Sequence, residues 1–109
     1  MKKTTRVIAV TALLFGVASL QADVVENWNK NCASCHGKDG KGQTTMGKRL
    51  KVGDYTDPAV QAKFTDEEAF KATKEGVEKD GKTVMKPYGD KLTDDEIKEL
   101  VAHVRGFKQ

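Results

Sequence analysis

The sequence predicts a small all-α domain, and three observations carry that prediction. Two stretches open with complete capping boxes, Thr65 with Glu68 and Thr93 with Glu96, each followed by helix-forming residues. No stretch alternates polar and apolar residues for long enough to make a buried strand. Large apolar side chains are also sparse for a chain of 109 residues, and a small domain of this kind usually needs a disulfide, a metal or another bound group to complete its core. Three main helices plus a short one are expected.

The elements follow in order. "DVVENWNKNCASCH" is compatible with a helix whose buried face carries Val25, Trp28 and Cys32, spaced three and four apart. From Lys38 to Gly53 the chain is glycine-rich without a sustained period, and reads as loop. "DPAVQAKF" places Asp57 as N-cap and Pro58 at the first helical position, which favours a short helix. "FTDEEAFKATKEG" starts at its Thr65 box, sets Asp66 and Glu67 at the positive end of the helix dipole, and stops at Gly76. The last helix, in "LTDDEIKELVAHVRGF", has Leu92 and Ile97 as a hydrophobic staple and Ile97, Leu100, Val101 and Val104 as its buried stripe.

Residues 1–22 have the parts of a secretory leader. Lys2, Lys3 and Arg6 form a positive front, Val7 to Leu20 an apolar stretch, and Ala22 a small residue before the cut. An uncleaved membrane anchor is the alternative, but the apolar stretch is short for one. Residues 23–109 then form one domain, expected in the periplasm with no stable membrane insertion after cleavage. Removing the leader's three cations from 19 basic side chains leaves 16 against 16 acidic ones. A formally neutral domain offers no net positive face to a nucleic acid.

The chemistry is concentrated in "CASCH", residues 32 to 36. Cys32, Cys35 and His36 spell C-x-x-C-H, the attachment sequence for c-type haem. Two thiols on one helical turn can each add to a vinyl group of the porphyrin, and the following imidazole then lies where it can reach the iron. Covalent attachment keeps the group in a dilute compartment and lets the macrocycle serve as core. The competing readings are weaker. A C-x-x-C thiol oxidoreductase normally carries its motif in a βαβ framework. A closed zinc site would lack ligands, because the only other histidine is His103 and no other cysteine exists. A disulfide between Cys32 and Cys35 would close almost no loop.

At these residues the chain resembles the class I c-type cytochromes, small electron carriers of bacteria. The resemblance runs through an aromatic-bearing helix leading into "CASCHGKDGKG", a middle helix ending in "KEG", and "MKPYGDKLTDDEIKELVAHV". It implies the small cytochrome c fold around one covalent haem c, and a second axial iron ligand in an M-x-x-[FY]-G-x-x-L-[ST]-x-x-E segment. Met85 takes that position here, with Pro87, Tyr88, Gly89, Leu92, Thr93 and Glu96 on the same pattern. Met46 and His103 are the other candidates; Met46 falls only ten residues after His36, and His103 is better read as packing on the first helix. Two departures stand out: Lys86 follows Met85 where the family often has proline, and "GKRL" replaces the "GPxL" turn whose carbonyl accepts the proximal ring N–H.

Trp28, Tyr55, Phe64, Phe70, Tyr88 and Leu100 are expected to pack the haem or the helices, with the Tyr88 hydroxyl also a candidate donor to a haem propionate. Lys38, Lys41, Lys48, Lys51, Lys82 and Lys86 flank the haem-binding loops, either as a rim that steers acidic redox partners or as ordinary solvated lysines. The expected function is a soluble monohaem electron carrier, not an enzyme, serving donor and acceptor proteins that the sequence does not name. A haem enzyme or gas sensor with a labile sixth position is the runner-up, and a thiol redox protein without haem the third.

Overall fold

The computed structural model describes the backbone of residues 17–109 and the side chains of residues 23–109, so the leader's expected n-region and most of its apolar stretch lie outside the described residues. Six helices and one small hairpin follow in order: α1 (Val17–Asn31), α2 (Ala33–His36), α3 (Thr45–Leu50), α4 (Pro58–Gln61), α5 (Asp66–Glu75), β1 (Val77–Lys79), β2 (Lys82–Met85) and α6 (Asp94–Gly106). The all-α expectation holds, with the hairpin as an addition. No helix among the described residues is long and apolar enough to cross a membrane.

The frame is α1 packed against α6, which also packs against α5. Val24, Trp28 and Cys32 of α1 and the turn after it meet Leu92, Ile97 and Leu100, and Tyr55, Phe70, Tyr88, Val104 and Phe107 pack around this cluster. The buried face of α1 is therefore Val24–Trp28–Cys32, an unbroken i, i+4, i+8 row, and the expected Val25 is 41% exposed. Spacing alone allowed either valine; the direction of approach of α6 selected Val24. Asn27 fixes the same approach by donating from Nδ2 to Glu96 Oε2 at 3.0 Å.

Both capping boxes form. Thr65 and Thr93 each accept from the backbone N–H of the glutamate three residues on, and each glutamate accepts in return from the threonine N–H. Asp57 caps α4 through the Ala59 N–H, with Pro58 at the first position.

Two short elements depart from expectation. The stretch read as loop contains α3, capped by Thr44. Gly47 inside it disguised the helix, since glycine lowers helix propensity, but the position tolerates nothing larger: an added Cβ would collide with the carbonyls of Cys35 and Gly42. The β1–β2 hairpin was also unforeseen. It turns at Asp80 and Gly81, whose φ values of 53° and 75° suit a tight two-residue turn, and the Asp-Gly dipeptide was its signal.

Candidate functional site

The Cys32–His36 segment continues the path of α1 through one further turn. Cys32 N–H donates to the Trp28 carbonyl at 2.9 Å, and His36 N–H to the Cys32 carbonyl at 2.9 Å. The turn is then clamped from several sides. The indole Nε1 of Trp28, itself only 3% exposed, donates to the Gly37 carbonyl at 2.9 Å. Gly42 N–H donates to the His36 carbonyl at 2.8 Å. The Thr44 hydroxyl donates to the Cys35 carbonyl at 2.6 Å while accepting from Gly47 N–H, which ties α3 to α2. Gly37 ends the turn at φ +82°, a conformation L side chains rarely adopt.

The two thiols are free, Cys32 buried and Cys35 half-buried. Burial, aided by the neighbouring Cys35, pushes the Cys32 thiol up to about 11. A thiol so reluctant to ionise is a poor nucleophile for disulfide exchange, which needs the thiolate. This weighs against the thiol-redox reading. Among the described residues no three His, Cys, Asp or Glu side chains gather as a metal site either.

His36 lies between aromatic rings. Tyr55 stacks on it, with centroids 5.2 Å apart and planes inclined by 24°, and Trp28 sits 5.7 Å away. Its Nδ1 is buried with no hydrogen-bond partner among the described residues, so the carbonyl of the GKRL segment does not take the place of the family's acceptor. Burial also holds the imidazole below its ordinary pKa, in the neutral form that a metal requires. Held in the neutral form between Tyr55 and Trp28, this imidazole fits the role of an iron ligand, and the two free thiols beside it fit thioether attachment.

Met85 ends β2, half-buried, paired in register with Val77. The segment after it is seated on the last turn of α5, where helix carbonyls have no partner within the helix. Tyr88 N–H donates to the Thr73 carbonyl at 2.9 Å and Gly89 N–H to the Lys74 carbonyl at 3.0 Å. Gly76 and Gly89 permit this seating; a Cβ at Gly76 would strike the Met85 carbonyl and Pro87. The Tyr88 hydroxyl donates to the Asn31 carbonyl at 2.9 Å, joining the Met85 segment to the residue before Cys32. The hydroxyl is thus committed to the backbone and not to the candidate propionate. Tyr88 and Tyr55 both have raised phenol pKa values, through burial first and then the charge of Cys32, joined for Tyr88 by Cys35.

The alternative ligands are placed elsewhere. Met46 is 42% exposed on α3. His103 packs its ring against Trp28 at 5.3 Å and Phe107 at 4.8 Å, the interhelical packing expected of it. The six flanking lysines are all exposed, and among the described residues none enters an ion pair. Sequence reasoning missed Gln61 and Arg105, which build a part-buried polar junction beside Tyr55.

A helical frame bearing C-x-x-C-H on a clamped turn defines a small haem-attaching domain, and comparison with known proteins agrees. A family model described as "Cytochrome C oxidase, cbb3-type, subunit III" matches residues 20–104. A solved structure described as "KustC0563 c-type cytochrome" is 36% identical with a TM-score of 0.67, covering 78% of this chain and 96% of its own. A Tyr-to-Phe mutant of Kustc0563 is 37% identical with the same TM-score, covering 79% and 99%. No curated protein matches the chain. The chain belongs to this c-type cytochrome family. It carries covalent haem c with iron, and its role is that of an electron carrier.

Proposed function

We propose that the mature chain is a periplasmic monohaem electron carrier in which Cys32 and Cys35 form the thioethers and His36 and Met85 ligate the iron. Residues 1–22 direct export, and residues 23–109 form the working domain. The observation that carries the ligand assignment is the bond from Tyr88 to Asn31, which holds the Met85 segment against the attachment turn.

The bound haem supplies a one-electron couple. The chain's residues shape it. A neutral, soft thioether at Met85 favours the reduced state relative to a second imidazole and so raises the potential. Two protein ligands leave no open position for oxygen or peroxide, which suits a carrier and not an enzyme. Trp28, Tyr55 and Leu100 exclude water, and low polarity around the iron further disfavours the extra charge of the oxidised form. The partners are donor and acceptor redox proteins. The exposed lysines are read as solvated side chains of a domain that is formally neutral once the leader is removed.

The test is the visible spectrum of haem-loaded protein, oxidised and reduced, beside Met85→Ala. The expected result is a low-spin spectrum whose ferric sulfur-to-iron charge-transfer band vanishes in the variant. If wild-type protein lacks that band, Met85 is not the ligand; rapid carbon monoxide binding to the reduced wild type would indicate an open site and a sensor or enzyme.

A further inference from the structure

Beside Tyr55 lies a polar junction that joins three separate parts of the chain. Gln61, at the end of α4, is only 5% exposed. Its side-chain Nε2 donates to the Tyr55 carbonyl and to the Val104 carbonyl, each at 2.8 Å. Its Oε1 accepts from an Arg105 Nη at 2.9 Å, and its backbone carbonyl accepts from the same nitrogen at 2.7 Å. Both donors and the acceptor of the Gln61 amide are therefore engaged, which is what a buried amide needs to avoid a desolvation penalty.

Arg105 completes the junction from α6. Its other Nη donates to the Phe64 carbonyl at 2.8 Å, its Nε pairs with Asp66 at 2.8 Å, and its guanidinium lies 4.3 Å from the Phe64 ring centroid. Phe64 in turn meets Tyr55 edge-on at 5.8 Å. Tyr55 is thus held by Gln61 at its carbonyl, by Phe64 at its ring, and by its own N–H, which donates to the Gly40 carbonyl at 2.8 Å. The face left to it is stacked on His36.

We infer that Gln61 and Arg105 are positioning residues which hold Tyr55 stacked on His36 and thereby fix the plane of the iron-ligating imidazole. The inference rests on His36 being the ligand, as proposed above. An axial imidazole is normally oriented by a hydrogen bond from its second nitrogen. Among the described residues Nδ1 has no such partner, so ring packing by Tyr55 and Trp28 is what restrains rotation. The junction does not touch the imidazole; it acts through Tyr55.

The experiment uses the haem-loaded protein and three variants. Gln61→Leu keeps the volume and removes the amide; Arg105→Lys keeps the charge and removes the fork that reaches several acceptors; Glu26→Gly weakens α1 at an exposed position outside both the junction and the Met85 segment, as a stability control. Midpoint potential, the proton NMR shifts of the ferric haem methyls, which report imidazole orientation, and thermal stability are read together. In the first two variants the redox equilibrium is expected to move by about three- to tenfold, the latter equal to about 59 mV for one electron, with a rearranged methyl pattern. Glu26→Gly loses stability with potential and pattern unchanged. If Gln61→Leu and Arg105→Lys lose stability but keep the wild-type potential and methyl pattern, the junction is a structural tie only and the inference is overturned. Should Gln61→Leu fail to accumulate, Arg105→Lys alone decides. Failure of the underlying reading looks different: wild-type protein would itself lack the signals of an iron-bound histidine.

Discussion

The attachment turn and the Met85 segment are held in opposite ways. Cys32–Gly37 continues the path of α1, is covered by the buried Trp28, and is clamped through Thr44, Gly42 and the Trp28 indole. The Met85 segment leaves an exposed hairpin and is seated on α5 by two backbone hydrogen bonds and on α1 by one tyrosine hydroxyl. Stability should therefore reside in the first region and adjustability in the second, because local opening follows the density of buried contacts.

The strongest break in this comparison is removal of the thiols. Cys32→Ser with Cys35→Ser is expected to abolish covalent haem entirely, read by mass spectrometry of the denatured protein, and to leave the small core unable to hold the fold. Haem retained by mass in the double variant would refute the attachment assignment.

Next in size is Gly47→Ala. Its Cβ would press into the carbonyls of Cys35 and Gly42, and overpacking of this kind costs about 1–3 kcal/mol, measurable by denaturant unfolding of the haem protein. Gly81→Ala, in the hairpin with open space around the added atom, should cost only about 1 kcal/mol, from its positive φ. Equal losses at the two glycines would show that the attachment side is no tighter than the hairpin.

Tyr88→Phe sharpens the contrast from the other direction. Losing one hydrogen bond to Asn31 should lower stability by about 1 kcal/mol, while exchange of Met85, the proposed ligand, for added imidazole accelerates. Unchanged exchange would place the restraint on Met85 in the α5 contacts.

The smallest effect concerns pH. Burial lowers the pKa of His103 in the folded protein, so its stabilising contribution is present above the unfolded value near 6.5 and is lost as pH falls through the folded value. Between pH 7 and pH 5 the wild type should lose stability more steeply than His103→Phe. Parallel curves would assign the acid sensitivity to other groups.

Local rules sufficed for helices whose signals are contiguous. The Thr65 and Thr93 boxes, the Asp57–Pro58 start and the Gly76 stop all formed as read, because each depends on hydrogen bonds within four residues. Elements whose reason lies elsewhere were harder to see. Gly47 discouraged a helical reading of α3 although its smallness serves a contact with Cys35. Val25 and Val24 were equivalent by spacing until α6 approached.

By itself, then, the sequence determined the class of fold and singled out the pentapeptide from Cys32 to His36 and, through resemblance, Met85 as the residues proposed to hold the haem, since these are written in short contiguous patterns. Tertiary structure alone decided which face of α1 is buried, that Tyr88 spends its hydroxyl on Asn31, and that Gln61 and Arg105 meet beside Tyr55. Those partners stand 57 and 44 residues apart, and no local pattern marks a hydrogen bond over such a separation; only tertiary packing, of the Tyr88 segment on α5 and of α6 across the domain, brings the groups within reach.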